Sequence, residues 1–183
     1  MRTLLLLGCF LFAGSAPAGD WTIDPAGSTL TFIPTYQEEP VPGRFTAFTG
    51  SLVFDPADPA TGKLHVVVDI SSADFDSEDL QQGVRTAEWF DTANFPVAEF
   101  DSHAIRRIAT RQFAAEGTLA LKGVSRKITV PFTWQENNVT ARMLGELDLS
   151  RTDFNIGTGE WSTDDQIGFR VHVRLDVVWR RHE

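Results

Sequence analysis

From Ile167 to Trp179 the chain reads IGFRVHVRLDVVW, and every odd-numbered position is apolar. Ile167, Phe169, Val171, Val173, Leu175, Val177 and Trp179 share one side. Gly168, Arg170, His172, Arg174 and Asp176 share the other, and only Val178 breaks the pattern. A period of two held over so long a run specifies a β-strand with one dry face and one wet face. At ~3.3 Å per residue the run would extend roughly 40 Å, about twice the usual strand. A strand of that length predicts a tall sheet around an elongated apolar space.

The same alternation recurs upstream. Leu64, Val66, Val68 and Ile70 form one apolar face, as do Ala98, Phe100, Ser102 and Ala104. Phe113, Ala115, Gly117, Leu119 and Leu121 form another, followed by Ile128, Val130, Phe132 and Trp134, then by Val139, Ala141, Met143, Gly145, Leu147 and Leu149. With shorter strands near Thr29–Ile33 and Phe45–Phe54, about eight strands are expected. One-sided alternation without intervening helices predicts an antiparallel all-β domain, closed as a barrel or stacked as a sandwich. The one helix candidate is Ser77–Thr92, with Ser77 as N-cap and Glu78 and Asp79 in its first turn. Leu80, Val84 and Ala87 or Trp89 would form its apolar face.

The first residues do not belong to this sheet. Arg2, the apolar run Leu4–Phe12 and Ala16-Pro17-Ala18 form a secretory leader, cleaved after Ala18 and too short to span a bilayer. A lipoprotein leader with Cys9 lipidated fits less well, because the apolar run continues past Cys9. Residues 19–183 then form one domain, and the sole cysteine of the chain leaves with residues 1–18. Stability must therefore come from the core. The formal net charge is −9, an acidic balance that argues against nucleic acid and anionic lipid headgroups as partners.

No constellation for catalysis or metal binding stands out. His65, His103 and His172 fall on outward strand positions, and His182 lies in the tail. Asp74, Asp76, Glu78 and Asp79 lack the glycine and distal glutamate of a calcium loop. The sequon Asn138-Val139-Thr140 and the basic group Arg106, Arg107 and Arg111 read as surface features. Within the strands the inward positions are uncharged, and Ser102 is the only hydroxyl among them. General acid–base chemistry needs a titratable group within reach of the substrate, so an enzyme would need the Asp153–Asp165 loop, where Glu160, Asp164 and Asp165 are the candidates. Small inward residues such as Ala98, Ala115, Gly117, Ala141 and Gly145 fit a ligand cavity or a packed core equally well.

Several short motifs, taken in order, resemble one family. They are Trp21-Thr22-Ile23-Asp24 with Ser28, Leu30 and Phe32; Gly43-Arg44-Phe45 with Phe48 and Phe54-Asp55-Pro56; and Trp89-Phe90-Asp91 with Phe95-Pro96 and Phe100. Gly117-Thr118-Leu119 with Lys122-Gly123-Val124-Ser125, and Arg151-Thr152-Asp153-Phe154 with Gly157, complete the set. Together they resemble the YceI-like, polyisoprenoid-binding family over Trp21 to Val178. The resemblance implies an elongated, eight-stranded antiparallel lipocalin-like barrel with one or two short helices, exported to the periplasm. It implies binding, without catalysis or metal, of a long apolar molecule: a polyisoprenoid, an isoprenoid quinone or a fatty-acid derivative. That ligand is expected beside Phe32, Val68, Phe100, Leu119, Leu121, Phe132, Trp134, Met143, Phe169, Val171 and Val173. Two histidines found in many members are replaced here by Gly27 and by residues of Ile33–Gln37, which puts contacts to a ligand headgroup in doubt. Gly159-Glu160-Trp161 is similar to members found beside membrane b-type cytochromes. The alternative function is therefore a packed β-domain acting through its surface on such a cytochrome. A second copy of the chain is the other protein partner this reading allows.

Intact-mass analysis of the exported protein should show a chain beginning at Gly19. A retained, lipidated Cys9 would contradict the leader assignment.

Overall fold

The structure, a computed structural model, describes residues 19–182; the leader expected over residues 1–18 lies outside the described residues. β1 (Gly19–Ile23) passes through a 3₁₀ turn at Pro25–Gly27 into β2 (Thr29–Ile33). A small hairpin of β3 (Thr35–Tyr36) and β4 (Glu39–Pro40) follows. Then come β5 (Gly43–Phe45), β6 (Phe48–Phe54), β7 (Lys63–Asp69) and the short β8 (Ala73–Asp74). After α1 (Glu78–Gly83) the chain forms β9 (Val97–Ala109), β10 (Gln112–Leu121), β11 (Val124–Glu136), β12 (Thr140–Ser150) and β13 (Arg170–Arg181).

Eight of these strands close an antiparallel circuit, β1-β6-β7-β9-β10-β11-β12-β13 and back to β1. β13 is long enough to serve two partners at once. Its last residues, Trp179–Arg181, pair with β1, while His172–Asp176 pair with β2. β2 in turn carries β5 and β8. The barrel is thus tightly closed where β1 and β6 complete it and wider where β2, β5 and β8 form its wall.

At the narrow end the inward faces meet. Trp21, Phe54, Phe113, Phe132 and Trp134 are buried in one cluster. Trp21 meets Trp134 and Phe54 meets Phe113 edge to face, with centroids 5.3 and 5.0 Å apart, while Phe113 stacks on Phe132 at 5.6 Å. Arg107 lies over the Phe113 ring, 4.9 Å from its centroid, and caps this end. The β10–β11 hairpin turns on Lys122 and Gly123, both at positive φ (48° and 72°), the two-residue geometry that matches strand twist.

Four sequence expectations are corrected. β13 begins at Arg170, because Ile167–Phe169 belong to the preceding loop, where the Phe169 carbonyl accepts the Arg151 N–H at 2.8 Å. Val139 is not an inward residue but an exposed one, in the turn before β12 begins at Thr140, whereas Val178 breaks the alternation, as the sequence indicates, by packing outside, where a Cβ on Gly27 would sit 3.2 Å from its Cγ2. The helix stops at Gly83, and the Phe90 N–H turns back to the Val84 carbonyl at 2.9 Å; Leu80 is left exposed while Val84 and Trp89 turn inward. In β9 a register shift between Glu116 and Gly117 on its partner strand ends the inward run at Ser102 and places Ile105, 2% exposed, inside instead of Ala104. Where β7 and β9 part, Ser102 Oγ accepts the Leu64 N–H at 2.7 Å. The inward hydroxyl expected from the strand pattern is thus engaged by backbone.

The small inward residues receive neighbouring bulk. A Cβ on Gly117 would lie 2.4 Å from the Asp101 carbonyl oxygen and 2.6 Å from the Phe100 ring, and one on Gly145 would lie 2.5 Å from the Pro131 carbonyl oxygen. Gly117→Ala should therefore destabilise the protein by ~1–3 kcal/mol through overpacking, read from urea denaturation. An unchanged midpoint would mean that Gly117 borders free space.

Candidate ligand-binding site

Residues that face the barrel axis behave differently at its two ends. In the narrow half, Leu52, Phe54, Phe113, Ala115 and Trp179 are almost completely buried. In the wide half, Val66, Val68, Leu119, Leu121, Leu147, Leu149, Val171 and Val173 face inward yet stay only partly buried. A packed core leaves no such difference. The wide half instead surrounds a cavity of about 240 Å³ whose accessible wall is wholly apolar. Phe100 and Met143, members of the narrow-end cluster, border it on one side, and Phe32, Phe45 and Phe90 at the wide end; Phe48 lines it beside its ladder partner Val68.

Of the expected contact residues, Phe32, Val68, Phe100, Leu119, Leu121, Met143, Val171 and Val173 line this cavity. The other three do not. Phe132 and Trp134 lie beyond it in the narrow-end cluster, because β11 runs past the cavity into the closed half. Phe169 lies before β13 and stacks on Arg151, 5.2 Å from the guanidinium carbon. Residues that alternation did not single out complete the wall: Val84, Trp89 and Phe90 after the helix, and Phe154 and Ile156 in the loop after β12. Irregular segments have no strand period to betray which side chains turn inward; the signals are the apolar helix face for Val84 and Trp89, and the family motifs that contain Trp89-Phe90 and Phe154, while Ile156 has none.

The loop Arg151–Gly168 covers the wide end and is organised by one side chain. Arg151 is 3% exposed, and its guanidinium donates to five carbonyls. Nε donates to Gly168 at 3.1 Å; Nη1 to Ile156 and Gly157 at 3.0 and 3.1 Å; Nη2 to Thr163 and Ile167 at 2.8 and 2.9 Å. These use all five N–H donors of the group. Gly157, at φ 74°, sits so close that a Cβ would collide with Nη1. Burial pushes the Arg151 pKa down, opposed by the charge of Asp164. Lys122 ties this loop to the segment after α1, donating to Ala87 O at 2.8 Å and Asn155 O at 2.7 Å. Burial likewise lowers its pKa, against the pull of Asp91 and Glu88. The Gly157 and Thr158 N–H groups add bonds to Glu88 O at 2.8 and 3.0 Å.

Among the described residues Arg151 is the one ionisable residue on the cavity wall, and its donors are spent. The wall therefore offers hydrophobic contact and no group poised for proton transfer. Glu160, Asp164 and Asp165 are exposed and do not line the cavity. Strand pairing does gather histidines with carboxylates on the outer wall, which sequence spacing could not show. His65 Nδ1 lies 2.7 Å from Asp101 and 3.6 Å from Glu99, a trio whose ligand atoms could surround a cation. His172 bridges Asp148 at 2.9 Å and Glu146 at 3.1 Å. Both groups are solvent-facing histidine–carboxylate contacts on strand positions outside the cavity. Gly27 is also on the outer surface, against Val178, so a side chain at that position would not reach the cavity wall.

The sequence model of the YceI-like domain matches residues 21–179, spanning every strand of the circuit. The chain belongs to the YceI-like family. It is similar to UPF0312 proteins of Yersinia enterocolitica and Yersinia pestis, at 30% and 31% identity over 164 residues, or 84% of this chain and 85% of each relative. Among solved structures, Burkholderia cenocepacia BcnA superimposes with a TM-score of 0.83 at 31% identity, covering 85% of this chain and 98% of BcnA. A polyisoprenoid-binding domain from Saccharophagus degradans shares the fold at a TM-score of 0.69 and 18% identity, covering 88% of this chain and 98% of that domain. No helix among the described residues of this YceI-like chain is long and apolar enough to cross a membrane.

Arg151→Met should leave buried carbonyls without donors and destabilise the protein by ~3–5 kcal/mol, measured by urea denaturation. Arg151→Lys, with three donors, should recover only part of that loss. Full stability in Arg151→Lys would show that charge, and not the five-bond fork, holds the loop.

Proposed function

We propose that this protein carries or sequesters a long apolar molecule of the polyisoprenoid, isoprenoid quinone or fatty-acid class, and that it does so in the periplasm after export. The cavity carries this reading. A wholly apolar wall in the wide half, beside a fully packed narrow half, is what a container needs and what a structural core lacks. Burying ligand surface there contributes ~25 cal/mol per Å², so affinity grows with chain length rather than with any one polar contact. The leader-like N-terminus supports export, and the fold shared with a polyisoprenoid-binding domain supports the ligand class. The alternative of a packed β-domain acting on a membrane cytochrome through its surface is disfavoured, because axis-facing residues in the wide half are not fully buried.

Organic extraction of the purified protein followed by mass spectrometry should release an apolar chain compound at near one per protein. Val173→Phe, which adds bulk into free space, should lower that content about tenfold, equivalent to ~1.4 kcal/mol of binding, with the urea midpoint preserved. A protein that yields no such compound and takes up none from solution would contradict the container reading.

A further inference from the structure

An apolar ligand must cross the barrel wall, and the ends are poor places to do so. The narrow end is filled by aromatic side chains. The wide end is latched by hydrogen bonds between its two covering segments: those of Lys122 to Ala87 and Asn155, and those of Gly157 and Thr158 to Glu88. Opening there breaks the two bonds to Glu88 and one of the two made by Lys122, and disturbs the loop gathered around buried Arg151.

The side of the barrel differs. β11 pairs with β10 along its length, from Val124 to Thr133, and β12 pairs with β13 from Thr140 to Ser150. Yet β11 and β12 pair with each other only from Phe132↔Gly145 to Glu136↔Ala141. Below that point Val124–Pro131 and Glu146–Ser150 face one another without a ladder. Pro131 explains where the pairing stops. Its carbonyl oxygen is close to Gly145, on the β12 side, and in an antiparallel strand a residue's N–H and C=O point to the same side. The donor that proline lacks is therefore one β12 would have used. The upper half of β9 also parts from β7, but there the 3₁₀ turn Pro59–Thr61 packs over it. The β11–β12 gap is met by the turn Arg151–Phe154 only near its lower end.

Inward side chains on both lips of this seam, Ile128 and Val130 on β11 and Leu147 and Leu149 on β12, line the cavity. No ladder pairing holds these lips together, and behind them lies the apolar wall. The cavity volume points the same way. About 240 Å³ is below the ~300–1,000 Å³ of pockets that enclose a drug-sized molecule, so a long chain cannot be held whole and must leave the barrel somewhere.

We propose that the seam between β11 and β12 is both the portal for the apolar chain and the slot through which its excess length emerges. This rests on the ligand reading above and adds the place of passage. Outside the seam stand Lys127 on one lip and Glu146 and Asp148 on the other, all exposed, so the emerging part of the ligand meets a polar rim.

The test uses the chain from Gly19 onward, which has no cysteine of its own. Thr129→Cys/Asp148→Cys places thiols on the two lips, and Glu88→Cys/Thr158→Cys places them across the wide-end latch. Each pair is bridged with a short bis-methanethiosulfonate linker, and uptake of the fluorescent polyene parinaric acid is followed by stopped flow. Bridging the seam should slow uptake about tenfold or more, and cleaving the linker with dithiothreitol should restore the rate, showing that the fold is intact. Bridging the wide end should leave the rate unchanged. Uptake unaffected by the seam bridge, or slowed instead by the wide-end bridge, would overturn the portal while leaving the container standing. Absence of uptake in the unbridged protein would overturn both.

Discussion

β13 decides the shape of this protein. Along the edge opposite β12, its twelve residues pair with two separate strands, β1 at one end and β2 at the other. A strand that serves two partners lets the barrel have two widths: a tight ring where β1 and β6 close it, and a broader wall where β2 and β5 continue it. In the tight ring, opposite inward faces approach closely enough for Trp21, Phe54, Phe113 and Trp134 to interlock. In the broad half they do not meet, and the space between them is the cavity.

The division of labour follows from packing. The aromatic cluster supplies the buried area that a chain without disulfides needs, so the wide half is free to remain incompletely filled. Capping that half creates a different problem, because an irregular loop over an apolar space carries backbone carbonyls that water cannot reach. Arg151 solves it with one residue, matching five donors to five carbonyls. Its charge stays buried without a direct carboxylate partner, a cost offset by the complete set of charge-assisted hydrogen bonds and by the Phe169 and Trp89 rings beside it.

Alternation made the strands and the apolar inner face legible in the sequence, and with them most of the cavity wall contributed by β7, β10, β12 and β13. It could not show where along a strand the barrel is filled and where it is hollow. Phe132 and Ile128 have the same parity on β11, yet Phe132 is buried in the core while Ile128, only partly buried, lines the cavity. Nor does parity survive the bulge in β9 that turns Ile105 inward. The Arg151–Gly157 motif was visible as a pattern, but its meaning lay in contacts to residues as distant as Gly168. Pro131 was visible as well, and only the pairing on both sides of it reveals an interrupted ladder.

The central claim is that ligand occupies the wide half and leaves the narrow half as solid core. Methyl-resolved nuclear Overhauser spectroscopy on protein loaded with an unlabelled apolar chain tests it most directly. The account predicts cross-peaks from the ligand to methyls of Val66, Leu121, Val171 and Val173, and none to Leu52 or Ile105. Ligand contacts at Leu52 and Ile105, or at surface methyls such as Val139 in place of the cavity wall, would contradict it.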